Sequence, residues 1–159
     1  EAVNIVMTQQ QVLFKTSDVL FYSRLLEGNY PDTSRLIPNE YKTTVTVNGK
    51  ALLQAIDRAS LLAREERNNI VRFSSLEGNV VEISSSSPEV GKVEEEIQAT
   101  SIEGEELKIS FSAKYMMDAL KAVDGQDVMV QFTGAMRPFI LKSVHDDAIL
   151  QLILPVRTY

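Results

Sequence analysis

Residues 45–62 read VTVNGKALLQAIDRASLL, and residues 109–125 read ISFSAKYMMDALKAVDG. Laid over each other, the two stretches place Lys50 opposite Lys114, 64 positions on. The same offset pairs Leu52 with Met116, Leu53 with Met117, Ala55 with Ala119, Ile56 with Leu120 and Ala59 with Val123. An internal repeat therefore organises this part of the chain. Each copy opens with alternating apolar and polar residues, the signature of a strand. It then changes to apolar residues three and four apart, which stack on one face of a helix. Asn48 and Ser112 stand where the helices should begin, with side-chain oxygens able to accept from free first-turn amides.

Three strand-like segments follow each helix. They are residues 70–75, 80–85 and 93–100 in the first copy, and 128–133, 138–144 and 149–156 in the second. The breaks carry turn chemistry: Gly78-Asn79, Gly134, and His145-Asp146-Asp147. Residues 42–159 thus read as two β-α-β-β-β units, with eight strands and two helices covering one side of the sheets. Residues 1–26 read as three more strands, 3–8, 11–16 and 19–26, with no helix before them. They look like the end of a unit whose beginning lies upstream. Residues 27–41, rich in Gly, Pro, Asn and Ser up to Asn39, read as an interdomain connector. The expected fold class is α+β.

Composition narrows the function. The 159 residues include no cysteine, which excludes disulfides and thiolate metal sites. No apolar run reaches the roughly 18 residues of a membrane-spanning helix. Hydrophobic residues at 44% supply a core, and the whole reads as a cytoplasmic globular chain. A net charge of −6 argues against long-range attraction to nucleic acid, so a DNA role needs cations gathered on one face. Catalysis finds little footing. His145 is the only histidine and falls in a predicted turn, and no serine sits in a nucleophile motif. Asp146-Asp147 is not a ligand set for a metal. The serines at 84–87 lack the glycines of a phosphate cradle. No cofactor is expected.

Two further motifs are specific. The connector LLEGNYPDTSRLIP, at 25–38, and the ending LQLILPVRTY, at 150–159, resemble the corresponding stretches of the bacterial DNA polymerase III beta subunit family, the sliding clamps. The repeat agrees with that resemblance, and the PVRTY ending looks like the Gram-positive branch. The resemblance implies the DNA-clamp fold. It implies a homodimeric ring of three-domain subunits that encircles double-stranded DNA and gives a polymerase processivity. This chain would hold the last domain, 42–159, and a remnant of the middle one, 1–26.

The resemblance also implies sites. A hydrophobic pocket would take short linear motifs of the polymerase III alpha subunit, the clamp loader and repair proteins. Its matching positions are Pro31, Arg35 and Leu36 in the connector, Met136 and Pro138 on a hairpin, and Leu152, Ile153, Leu154, Pro155, Val156 and Arg157 in the tail. Burying one leucine or aromatic side chain of such a motif contributes roughly 1.5–3 kcal/mol. Proline limits the mobility of the wall, and arginine can bond carbonyl or carboxylate groups. Read without the family, ILPV is an ordinary core strand. Lys50, Arg58, Arg64, Lys114 and Lys121 would face DNA phosphates without reading bases. Asp57, Asp118 and Asp124 lie among them, so an ordinary solvated helix face is the competing reading. Leu61, Leu62, Glu94, Glu95 and Glu96 match the subunit interface, although an acidic edge strand also protects against aggregation. A stand-alone peptide-binding adaptor without a DNA role is the alternative function.

Overall fold

The computed structural model describes residues 2–30, 32–63, 69–123 and 126–157. Pro31, Arg64 and Asp124 lie outside them. The chain divides into two compact units, residues 1–33 and 34–159.

The first unit is an antiparallel meander of β1 (Asn4–Met7), β2 (Gln11–Lys15) and β3 (Leu20–Arg24), with β2 central. Thr8 and Thr16 shape the two turns. Each threonine Oγ1 accepts the amide three residues on, Gln11 and Val19, at 3.1 Å. Among its described residues only Val12 is buried; Val3, Ile5, Met7, Leu20 and Phe21 are all more than half exposed.

The second unit holds β4 (Thr43–Asn48), α1 (Gly49–Ala63), β5 (Ile70–Leu76), β6 (Val80–Ser87), β7 (Gly91–Gln98) and β8 (Ser101–Gly104). There follow β9 (Lys108–Ser112), α2 (Ala113–Ala122), β10 (Asp127–Phe132), β11 (Phe139–Ser143) and β12 (Leu150–Ile153). One sheet runs β12-β11-β10-β4-β8 and the other β7-β6-β5-β9, every ladder antiparallel. Each sheet therefore mixes strands of both repeats. Val45 pairs with Val130 of the second copy, and Val71 with Phe111.

Four phenylalanines tie the sheets together. Phe73 lies 5.3 Å from Phe132, Phe132 lies 4.9 Å from Phe139, and Phe139 lies 5.6 Å from Phe111, all tilted pairs and all fully buried. Such pairs add about 0.5–1.5 kcal/mol each beyond the area they bury. Leu52, Ile56, Met116 and Leu120 extend the same core from the helices, which confirms the apolar faces read from the repeat.

Three details differ from expectation. Among the described residues, the second unit has nine strands, not eight. Residues 93–100 do not form one strand: β7 ends at Gln98 and β8 begins at Ser101 in the other sheet. At the crossing the ladder partner changes. The Ala99 amide donates to Asn79 O and the Thr100 amide to Thr46 O. The tail repeats the manoeuvre. β12 stops at Ile153, Pro155 bridges Phe111, and the Val156 amide donates to Ser110 O at 2.7 Å. Finally, Asn48 caps α1 by accepting the Ala51 amide at 3.0 Å, but the Ser112 side chain makes no capping bond to α2. The Ala113 amide is held instead by Asn69 O.

Candidate functional site

α1 and α2 pack against each other, and their outward faces hold the sequence-predicted cations. Lys50, Arg58, Lys114 and Lys121 are exposed there, against Asp57 and Asp118. Four cations against two carboxylates leave the helices at +2, on a chain whose net charge is −6. Lys50, Lys114 and Lys121 make no ion pair among the described residues.

Arg58 is different. Its guanidinium grips Glu95 of β7 with two bonds, Nε to Oε2 at 2.9 Å and Nη2 to Oε1. The Glu95 hydrogen bond raises the arginine's pKa, and the Arg58 hydrogen bond holds the Glu95 carboxyl below its usual value. The structure thus joins one residue expected at DNA to one expected at a subunit interface, and partly neutralises both.

The three glutamates of β7 have three different settings. Glu94 pairs with Lys92. Glu95 turns toward α1. Glu96 stands directly across from Glu82 on β6, a like-charged pair. All three lie on the edge strand of the four-stranded sheet. Of the leucines matched to the interface, Leu61 is 54% exposed and Leu62 half-buried.

The tail residues alternate. Ile153 is 4% exposed and belongs to the core. Leu152, Pro155 and Val156 are half-buried, while Leu154 is 65% exposed. Leu152, Ile153 and Leu154 line a groove of about 450 Å³ with Gln151 and with Tyr115, Asp118 and Ala119 of α2. Arg35, Leu36, Met136 and Pro138 do not line this groove. Leu36 and Met136 are exposed apolar side chains, at 46% and 52%. The Tyr41 hydroxyl donates to Pro38 O at 2.9 Å and fastens the segment just after Leu36. Burial raises the pKa of that hydroxyl, so it remains a donor. Sequence reasoning passes over Tyr115. Its signal is an aromatic residue 65% exposed on an otherwise polar helix face.

Among the described residues, no group of three or more His, Cys, Asp or Glu side chains is placed to hold a metal. His145 and the Asp146-Asp147 pair sit in the β11–β12 turn, where Asp146 accepts the Ala148 amide.

Comparison with known proteins agrees with this architecture. The family model for the DNA polymerase III beta subunit, C-terminal domain, matches residues 34–157. The beta sliding clamp of Bacillus subtilis is 63% identical over all 159 residues, and that of Staphylococcus aureus 55%. This chain spans 42% of the length of each of these two relatives. The crystal structure of the Bacillus subtilis DNA polymerase sliding clamp superposes with a TM-score of 0.89, covering 99% of this chain and 41% of that one. The DNA polymerase III beta chain of Streptococcus pneumoniae, 46% identical, also gives 0.89, covering 98% and 41%. With the family model spanning nearly the whole second unit, the chain belongs to the DNA polymerase III beta subunit family.

Proposed function

We propose that this chain is the C-terminal portion of a cytoplasmic DNA sliding clamp, a non-catalytic ring that holds replicative polymerase on double-stranded DNA. The observation that carries the reading is the 63% identity, over every residue of this chain, to a beta sliding clamp. In this reading residues 1–26 close the preceding domain, 27–41 connect, and 42–159 form the last domain. Lys50, Lys114 and Lys121, which make no ion pair among the described residues, face the DNA, where mobile cations neutralise phosphates without fixing a register. Arg58, tied to Glu95, contributes less. Leu61, Leu62 and the β7 edge lie toward the neighbouring subunit of a homodimer.

The tail and connector are the recruiting surface for linear motifs of the polymerase III alpha subunit, the clamp loader and repair proteins. Exposed Leu36, Met136 and Leu154, with half-buried Leu152 and Val156, supply apolar area for a partner's leucine and aromatic side chains. Arg35 and Arg157 supply donors to its backbone.

Two measurements test this. Charge reversal at Lys50 and Lys121 in the full-length protein should reduce retention on circular DNA and flatten its salt dependence. An unchanged salt slope refutes the DNA-facing assignment. Deleting residues 153–159 should abolish calorimetric binding of a QLxLF-type peptide while the helices remain folded; unchanged affinity refutes the recruiting surface. Peptide binding without DNA retention by the full-length ring would favour a stand-alone adaptor.

A further inference from the structure

The groove between α2 and the tail has two walls of different chemistry. On the tail side stand Leu152, half-buried, and Leu154, 65% exposed. On the helix side stand Tyr115 and Asp118. Positions three apart on a helix are neighbours, so the Tyr115 ring and the Asp118 carboxylate share one side of the hollow. Both side chains are exposed. The volume of about 450 Å³ has room for a long side chain.

Asp118 carries the argument. It is the only charged residue among the described residues that line the groove. It makes no ion pair among the described residues, although Lys114 and Lys121 lie within about a turn of it on the same helix. Neither lysine lines the groove. A hollow with apolar and aromatic walls and one exposed carboxylate suits a side chain with an aliphatic stem and a cationic head. The stem lies along the leucines while the head stays in water beside the acid. The face of an aromatic ring attracts the same head.

We infer that this groove selects partner motifs that carry a basic residue, arginine before lysine, next to their apolar anchors. The inference rests on the recruiting surface proposed above and adds the sign of charge that it prefers. Arginine leads because its planar guanidinium can bond both carboxylate oxygens and stack on a ring, whereas an ammonium acts as a point charge. A glutamate in the same place would meet a like charge and be rejected. Lys114 and Lys121 oppose the preference, but both are exposed and screened, so the carboxylate inside the groove decides the sign.

The test is calorimetric titration of the whole chain with QLxLF-type peptides that carry arginine, glutamine or glutamate immediately before the motif, and a second set immediately after it. In one of the sets the arginine peptide should bind about three- to tenfold tighter than the glutamine peptide, within the combined scale of an exposed ion pair and a cation–π contact. The glutamate peptide of that set should bind most weakly. Asp118→Asn should erase the difference between the arginine and glutamine peptides, and Tyr115→Leu should shrink it. Glu89→Gln, in the β6–β7 turn, removes one negative charge elsewhere and should preserve it. If Asp118→Asn loses its helical circular dichroism, Asp118→Gln takes its place. Equal affinities across both sets, or a difference that survives the loss of Asp118, overturn the inference and leave the recruiting surface standing. Failure of every peptide to bind overturns the recruiting surface and the inference with it. Self-association of the peptide-free chain that these substitutions abolish would give the groove to a second copy and overturn its assignment to a partner motif.

Discussion

Replacing Phe132 with alanine tests whether the chain of rings holds the two sheets together. Phe132 is fully buried and touches Phe73 of the opposite sheet at 5.3 Å and Phe139 of its own at 4.9 Å. Phe→Ala in a core costs about 3–5 kcal/mol, from lost transfer free energy and the cavity left behind. Loss of two ring contacts places this case toward the upper end. Against a typical domain stability of about 5–15 kcal/mol, that is a large fraction. The melting temperature should fall by about 10–20 °C. Urea unfolding followed by helical circular dichroism isolates the effect, because both helices lie in the second unit. Phe21→Ala is the control: Phe21 is 58% exposed in the first unit, and its loss should move the helical transition by less than about 0.5 kcal/mol. A Phe132→Ala loss below about 1.5 kcal/mol would show that the sheets are held by something other than these rings.

Gly49→Ala should destabilise the chain despite alanine's helix preference, because the new Cβ would sit 2.5 Å from the Gln126 carbonyl oxygen. Overpacking of about 1–3 kcal/mol then exceeds a propensity gain of about 1 kcal/mol, and chemical denaturation of a variant as stable as the parent would contradict this. For Glu95, the folded-state pKa is lowered by Arg58, so its stabilisation is present above the unfolded value and lost as pH falls through the folded one. Glu95→Gln should therefore be less stable than the parent at neutral pH, with the gap closing on acidification; a gap independent of pH would dispose of the ion pair's role. Glu96→Lys places opposite charges across from Glu82 and should add roughly 0.2–1 kcal/mol, diminishing with salt, as melting at two ionic strengths would reveal. Leu154→Asp should weaken calorimetric binding of the motif peptide by at least about tenfold with no change in melting temperature, since the side chain is mostly exposed.

Periodicity made the two helices legible, because Leu52, Ile56, Met116 and Leu120 must share buried faces and their spacing says so. The strand crossings were not legible. Nothing in VEEEIQATSIEG marks Ala99-Thr100 as the place where one sheet hands over to the other, because both halves alternate correctly and only the distant partners Asn79 and Thr46 decide it. The N-cap at Asn48 could be read and the one at Ser112 misled, since a suitable side chain does not guarantee a suitable rotamer. For the candidate surfaces, residue type exposed the lysines but not the pairing of Arg58. That pairing depends on a strand 37 residues later lying across the helix. Alternation was enough in principle to separate Ile153 from Leu154, and the ILPV run concealed it.

The sheets are shared between the repeats, and that has a consequence for how the domain comes into being. Val45 finds one ladder partner at Ile102, within its own repeat, and the other at Val130, in the second. The strand after α1 likewise waits for Phe111 and Ile109 to complete its far side. Neither repeat closes its own sheets, so the first must emerge from synthesis and remain incomplete until the second arrives. Loop-closure entropy is lost before these distant pairings give anything back, which puts folding in the slow, millisecond-to-second regime of sheet-dominated domains. The same exchange means that a chain containing one repeat would satisfy its open strands with a second copy of itself, and gene duplication would then turn that symmetric pair into a single covalent domain.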